Sequence, residues 1–320
     1  MNEIILFEYF TSQPKISSEL NKKIFSEALK LVDCISENFD KNAAFKKIHV
    51  IRNYKLSTLN KKKIHYHLTR PTTSIEQILE SFKNKFKLIL IAPETEKISL
   101  KLYLKLKKKF RLLNSSYSCT KIFSSKIKTI KALRRKKILC LDIENIKNIK
   151  KERFIIKPEY GAGSENIRIF KNKKNLELNN KNFIQKFVDG KKGSFSMLCC
   201  KGIAQVLTCN EQIVSIENNH IRQIGLYIGG LESHRPEIQN LASQICSEFK
   251  GLFGLIGVDI IRCNKEWKVI EINSRFTSSY VGIKSSYGEN VLHEITNFYV
   301  KTVLKKKLKI NLKKIDKIYF

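Results

Sequence analysis

Apolar runs and helix-period stretches alternate along the first third of the chain. Residues 4–7 form a continuous apolar run, and Leu20, Ile24, Ala28, Leu31 and Ile35 then recur at helical spacing over 17–39, behind a serine N-cap. The same reading predicts strands at 48–51 and 88–92 and helices at 75–82 and 100–110. Alternation of this kind implies a parallel sheet with ligands at the carboxyl ends of its strands. Glu8 and Tyr9 follow the first strand, and Pro93, Glu94 and Thr95 follow the one at 88–92. They stand either where a substrate is met or as ordinary loop residues.

Residues 116–150 read as a short helical unit with Ile122, Ile127, Ile130 and Leu133 as its apolar positions. Beyond 151 the pattern turns to strands, at 153–157, 166–170, 182–188, 193–200, 203–208, 221–227, 257–262 and 267–272. Helices at 237–250 and 289–303 interrupt and follow them. The fold class is therefore α/β with an α+β C-terminal part.

Composition narrows the class. Hydrophobic residues make up 42% and charged residues 28% of 320, which is globular and enough for two or three packed units. No apolar run approaches the roughly 18 residues of a membrane span. The N-terminus lacks a basic region and a cleavage site, so the expectation is a soluble, cytoplasmic protein without a membrane partner. The net charge is +32, carried by 50 lysines against 11 arginines spread along the chain. A nucleic-acid surface usually enriches arginine, so AT-rich coding drift is the preferred cause and no specific nucleic-acid partner is expected. The rival, a nucleic-acid-binding protein, predicts tight and salt-dependent oligonucleotide binding. The cysteines at 34, 119, 140, 199, 200, 209, 246 and 263 show no ligand spacing and read as reduced, mostly buried small hydrophobes. His65 and His67 alternate as on an exposed strand edge.

Candidate chemistry gathers between residues 120 and 285. A strand ending in Lys157-Pro158 runs into Gly161, Ala162, Gly163 and Ser164 and then another strand. Its flexible tip offers N–H groups to phosphates, or is a plain hairpin turn. Gln185, Lys186, Phe187 and Val188 run from a strand into a turn at Asp189-Gly190, where a purine ring or nothing at all is held. Most pointed are two strands joined at Asn264-Lys265, carrying Asp259 on one and Glu271 and Asn273 together on one face of the other. Two carboxylates and an amide oxygen among Val258, Ile260, Val269, Ile270 and Ile272 suit Mg²⁺ bridged to nucleotide phosphates.

Together these strings resemble the ATP-grasp superfamily over about residues 90–300, with Lys126, Lys157-Pro158, the glycine-serine loop, the 185–190 segment and Asp259…Glu271-x-Asn273-x-Arg275 as its marks. The resemblance implies an ATP-grasp fold, with a Rossmann-like domain at 1–115, a small central subdomain at 116–190 and a C-terminal subdomain at 191–320 holding the metal site. It implies ATP with Mg²⁺ or Mn²⁺ as cofactors, and a small-molecule amino acid and an amine as substrates. A homodimer is allowed. The implied reaction is carboxylate activation to an acyl-phosphate, followed by amide formation. Lys126 and Lys157 would contact α- and β-phosphates, Gly161–Ser164 would close over the triphosphate, and Arg275, following Asn273 on the strand face, would hold a carboxylate or phosphoryl group.

Narrower strings, Leu6-Phe7-Glu8-Tyr9 and the stretches 91–95, 210–212 and 271–282, resemble members joining L-glutamate to an aromatic amine of the tyramine type. Other amino-acid or peptide ligases of the superfamily are the alternative. Phe10-Thr11-Ser12-Gln13 stands where those members usually carry glycines, and Ser274 where they carry proline. Glu8 and Glu94 would meet an ammonium group, and Ser278, Ser279 and Tyr280 would complete the pocket.

Overall fold

The strands β1 (Asn2–Glu8), β2 (Phe45–Asn53), β3 (Ile64–Thr69), β4 (Lys87–Ile91) and β5 (Arg111–Leu112) pair in parallel in the order β3-β2-β1-β4-β5. They belong to a computed structural model that describes residues 2–15, 22–83, 85–145, 153–161, 167–171, 181–304 and 308–320. A central parallel strand is covered on both faces, which explains the unbroken apolar run of β1. Ile4 and Leu6 pack with Leu31, Ile35 and Phe39 of α1 (Lys22–Lys41). Ile5 and Phe7 point the other way, toward Ile78 and Leu79 of α2 (Ile75–Ser81) and Leu106 of α3 (Ile98–Leu106). The predicted helix start near 17 lies outside the described residues. β3 is an edge strand with His65 exposed, as its alternation suggested, but His67 is half-buried against His49 and Phe82, because the alternation turns its face toward the helix side of the sheet.

The rest of the chain builds an antiparallel sheet. Two short helices, α4 (Tyr117–Phe123) and α5 (Lys126–Arg135), precede it, each capped by a serine hydroxyl, Ser116 and Ser125. The strands are β6 (Phe154–Pro158), β7 (Arg168–Phe170), β8 (Asn182–Lys186), β9 (Lys191–Cys200), β10 (Ile203–Glu217), β11 (His220–Ile228), β12 (Gly254–Cys263) and β13 (Glu266–Asn273). Helix α6 (Arg235–Glu248) lies between β11 and β12, while α7 (Ile283–Tyr287), α8 (Glu289–Lys301) and β14 (Asp316–Tyr319) follow β13. The order is β13-β12-β9-β10-β11-β7-β6-β8, with β14 beside β11. Among the described residues the β6–β7–β8 portion pairs with β11 where His220 stands opposite Arg168.

One face of the larger portion is covered by α4, α5 and α6, through Phe123, Leu133, Leu241 and Ile245 packing on Phe195, Val258 and Ile272. The other face shares a continuous core with the parallel sheet: Leu198, Leu207, Leu226 and Leu255 pack in one cluster with Ile4, Leu6, Leu31 and α8. All eight cysteines are free thiols, five of them buried. Among the described residues no helix is long and apolar enough to cross a membrane.

Two differences from the sequence reading are informative. β10 runs to Glu217 rather than stopping at 208, because Asn210, Glu211 and Gln212 break the apolar pattern while staying in the ladder with β11. The C-terminal segment also yields a strand, β14, whose Ile318 packs on the shared core together with Phe320 just beyond it.

Candidate active site

The hairpin of β12 and β13 turns at Asn264 and Lys265, both with positive φ (52° and 65°), the backbone that a two-residue hairpin with native twist requires. This fixes the register from Cys263–Glu266 to Ile260–Val269, and a one-residue register shift between Ile260 and Asp259 then sets Asp259 opposite Glu271 and Gly257 opposite Asn273. The opposite faces of these strands carry Val258, Ile260, Val269 and Ile272, all wholly buried, so the carboxylates cannot swing to solvent by a register slip without burying charge. Gly257 is packed under the Thr277 side chain, where a Cβ would lie 2.5 Å from its methyl carbon.

Around this pair the side chains interlock. Gln212 Nε2 donates to Asp259 Oδ1 at 2.8 Å, and Asn273 Nδ2 lies 3.4 Å from Asp259 Oδ2. Lys126 Nζ donates to Glu271 Oε1 at 2.9 Å and to the Gly161 carbonyl at 2.7 Å. Lys126 opens α5, and its own backbone N–H donates to the Glu159 carbonyl, while Ser125 Oγ donates to Glu159 Oε1. A helix start, the end of β6 and the acidic hairpin thus meet at one lysine.

The electrostatics are unbalanced. Burial, and then repulsion from Glu271, push the Asp259 carboxyl up to about 7. Burial, and then repulsion from Lys126, lower the Lys157 ammonium to about 8. Among the described residues Lys157 makes no hydrogen bond or ion pair, although its side chain is buried. Two facing carboxylates with one lysine call for a cation, and two neighbouring lysines call for an anion. A divalent metal with phosphates answers both, and hard oxygen donors are the right chemistry for Mg²⁺. Among the described residues no cluster of three His, Cys, Asp or Glu is placed to hold a metal ion; Asp259, Glu271 and the Asn273 amide are the oxygen donors that could hold one.

These groups line a cavity of about 1030 Å³ between the two sheets. Lys126, Lys157, Gly161, Lys186, Phe187, Val188, Asp259, Glu271, Asn273, Arg275, Glu8, Ser278 and Ser279 all border it. Ala162, Gly163 and Ser164 lie outside the described residues. Gln185 is buried but does not border the cavity. Its amide donates to the carbonyls of Leu141 and Asp142 at 3.2 and 3.3 Å, fastening β8 to the segment after α5. Arg153 lies 4.4 Å over the ring of Phe187.

The substrate-side residues are arranged differently from expectation. Arg275 is not on the strand face: β13 ends at Asn273, and Arg275 sits in the bend beyond it. Its Nε and Nη2 donate to both oxygens of Glu94, which is buried and does not border the cavity. Glu8 closes its own loop, accepting from the N–H groups of Phe10 and Thr11 and from the Thr11 hydroxyl. That bond set explains how Phe10–Gln13 is held without glycines. Tyr280 is wholly buried in the shared core and donates nothing to the pocket. Ser279 Oγ pairs with Ser196 at 2.8 Å. Sequence reasoning missed Gln212 and Lys192, which also borders the cavity. The polar break in β10 was the available signal for the first.

Comparison with known proteins agrees with this architecture. The ATP-grasp domain family matches residues 123–279. The tyramine–L-glutamate ligase of Methanocaldococcus fervens is 30% identical over 216 residues, 66% of this chain. The matched stretch spans 65% of that relative, less than two thirds of its length. That of Methanocaldococcus jannaschii is 23% identical over 300 residues, covering 88% of this chain and 85% of the relative. Among solved structures, an ATP-grasp superfamily protein from Archaeoglobus fulgidus superposes with a TM-score of 0.73 at 22% identity, over 99% of this chain and 91% of that one. The chain has the ATP-grasp fold, matches an ATP-grasp domain over residues 123–279, and resembles the tyramine–L-glutamate ligases in sequence.

Proposed function

We propose that the protein is an ATP-dependent ligase that joins a carboxylate to an amine, with L-glutamate as the carboxylate and tyramine or a related amine as acceptor. The observation that carries the proposal is the buried pairing of Asp259 with Glu271 beside Lys126 and Lys157, in a cavity that also receives Arg275.

A carboxylate is too poor an electrophile for an amine. An oxygen of the substrate carboxylate attacks the γ-phosphorus of ATP, ADP departs, and an acyl-phosphate forms. The amine nitrogen then attacks the carbonyl carbon, phosphate leaves with the C–O electron pair, and the nitrogen gives up a proton. Little covalent work falls to the protein; alignment and charge neutralisation dominate. Asp259, Glu271 and Asn273 would hold Mg²⁺, which supplies charge neutralisation at the transferring phosphates. Lys126 and Lys157 bind phosphate oxygens, Lys126 being oriented by Glu271 and the Gly161 carbonyl. Arg275, presented by Glu94, holds a carboxylate or phosphoryl oxygen through Nη1, which also donates to the Phe276 carbonyl at 3.3 Å. Phe187, Val188 and Leu141 give an apolar wall for the adenine.

The test is ADP release with Mg²⁺ across a panel of amino acids and amines. Turnover that needs L-glutamate and rises with tyramine supports the full reading. Stimulation by another amino acid alone keeps the ligase and removes this substrate.

A further inference from the structure

A gap in the surface of the antiparallel sheet lets a row of hydroxyls run from its interior to the cavity. Gly257 stands between Ser196 of β9 and Asn273 of β13 on one rung of the ladder. A Cβ on it would lie 2.5 Å from the Thr277 methyl carbon and 2.9 Å from Thr277 Oγ1, so only glycine lets the loop beyond β13 come down on the sheet here. Ser279 Oγ then lies 2.8 Å from Ser196 Oγ and 3.0 Å from Thr277 Oγ1. Among the described residues the three hydroxyls have no other hydrogen-bond partner.

Three hydroxyl protons thus serve two hydrogen bonds, and one is left over. Ser196 is wholly buried, and a buried donor without an acceptor is costly, so its proton goes to Ser279. Ser279, nearly as buried, gives its own to Thr277. The spare proton sits on Thr277 Oγ1, the half-buried end of the row, and Thr277 borders the cavity.

The ladder also places that proton. Gly257 and Asp259 share a face of β12, roughly 7 Å apart along the strand. Lys126 meets Glu271 at the Asp259 rung, and Thr277 covers the next rung on the same face, two residues beyond Arg275. A phosphate held at the first rung would leave the carbon attached to it near the second. A neutral donor there gains little from a carbonyl and much from an oxyanion.

We infer that Thr277 is a catalytic residue of the amide-forming step. Its hydroxyl donates to the carbonyl oxygen of the acyl-phosphate and holds the negative charge that this oxygen acquires when the amine nitrogen attacks. The C=O electron pair moves onto oxygen as the C–N bond forms, and returns as phosphate leaves with the C–O pair. Ser196 and Ser279 are positioning residues that fix the direction of the Thr277 proton. The inference rests on the ligase reading and adds to it a residue for the second step.

Borohydride reduces an acyl-phosphate to an alcohol and so separates the two steps. Enzyme with ATP, Mg²⁺ and labelled L-glutamate loads the acyl-phosphate, and added tyramine consumes it. Thr277→Val keeps the side-chain shape without the hydroxyl; it should load the wild-type amount and lose it to tyramine about 100-fold more slowly. Thr277→Ser should consume it at close to the wild-type rate. Ser196→Ala releases the direction of the row and should slow consumption to an intermediate rate with loading unchanged. Consumption at the wild-type rate by a Thr277→Val that melts like the wild type overturns the inference, as does a loss of loading in it. Should that variant not fold, Ser196→Ala decides, slowed consumption supporting the inference and an unchanged rate overturning it. Alcohol formed by the wild type upholds the ligase reading whatever Thr277 does, and no alcohol with any amino acid overturns both.

Discussion

Arg275 grips Glu94 with two parallel hydrogen bonds, Nε to Oε1 at 2.9 Å and Nη2 to Oε2 at 2.8 Å. The pair ties the loop after β4 of the parallel sheet to the bend after β13 of the antiparallel one. Burial disfavours the Arg275 charge, and Glu94, together with Glu271 and Glu8, outweighs that cost. Glu94→Gln leaves a largely buried guanidinium without its partner. It is expected to cost about 3 kcal/mol, read as a lower urea midpoint, because breaking a buried pair strands a charge. Arg275→Lys keeps the charge but loses the fork, so activity should fall by at least about tenfold with a smaller loss of stability.

Glu271→Gln removes both a donor of the facing carboxylate pair and the acceptor that orients Lys126. Lys157→Ala removes a buried cation that repels its lysine neighbour. Each should reduce ATP-dependent turnover by about a thousandfold. Neither should lower the melting temperature much, and Lys157→Ala should raise or preserve it, since a buried ammonium with no hydrogen-bond or ion-pair partner among the described residues is a cost. ADP release beside calorimetric melting checks both halves.

Acid should weaken the parallel sheet. His67 lies against His49, ring nitrogens 3.0 Å apart, and burial and then the His49 charge lower His67 to about 4. Burial lowers His49 as well. The unfolded chain protonates both near pH 6.5, the folded one only at lower pH, so the unfolded state binds more protons between about 6.5 and 4. Stability is therefore full above pH 6.5 and declines as pH falls through that window. His67→Phe should flatten the slope of urea midpoint against pH, and an unaltered slope would refute the assignment to this pair.

Much of the fold is legible in the sequence where burial on both faces writes long apolar runs, as at β1 and β4, or where period-2 patterning flanks a turn, as at β12–β13. The facing of Asp259 and Glu271 is not legible from the turn, whose register alone would oppose Asp259 to Ile270; a one-residue shift in the ladder brings the carboxylates together. Legibility fails where function interrupts pattern. Asn210 to Gln212 break the apolar pattern, Gln212 to reach Asp259 and Asn210 to donate to Ser194 and Thr208, yet their backbone stays in the ladder. Lys126, at the N-terminus of a short helix, is a phosphate-site candidate only by resemblance, because its partners Glu271 and Gly161 are distant in sequence. The commitments of Glu8 and Glu94 to Thr11 and Arg275 are likewise set by geometry that no local spacing encodes.

The core shared by the two sheets makes the molecule thermodynamically indivisible along its apparent seam. Leu31 and Ile4 on one side and Leu226 and Leu255 on the other belong to one apolar cluster, so freeing the first 115 residues would wet both surfaces at once. Melting should then be a single cooperative event with matching calorimetric and van't Hoff enthalpies. A fragment lacking the parallel sheet should aggregate rather than survive as a nucleotide-binding module.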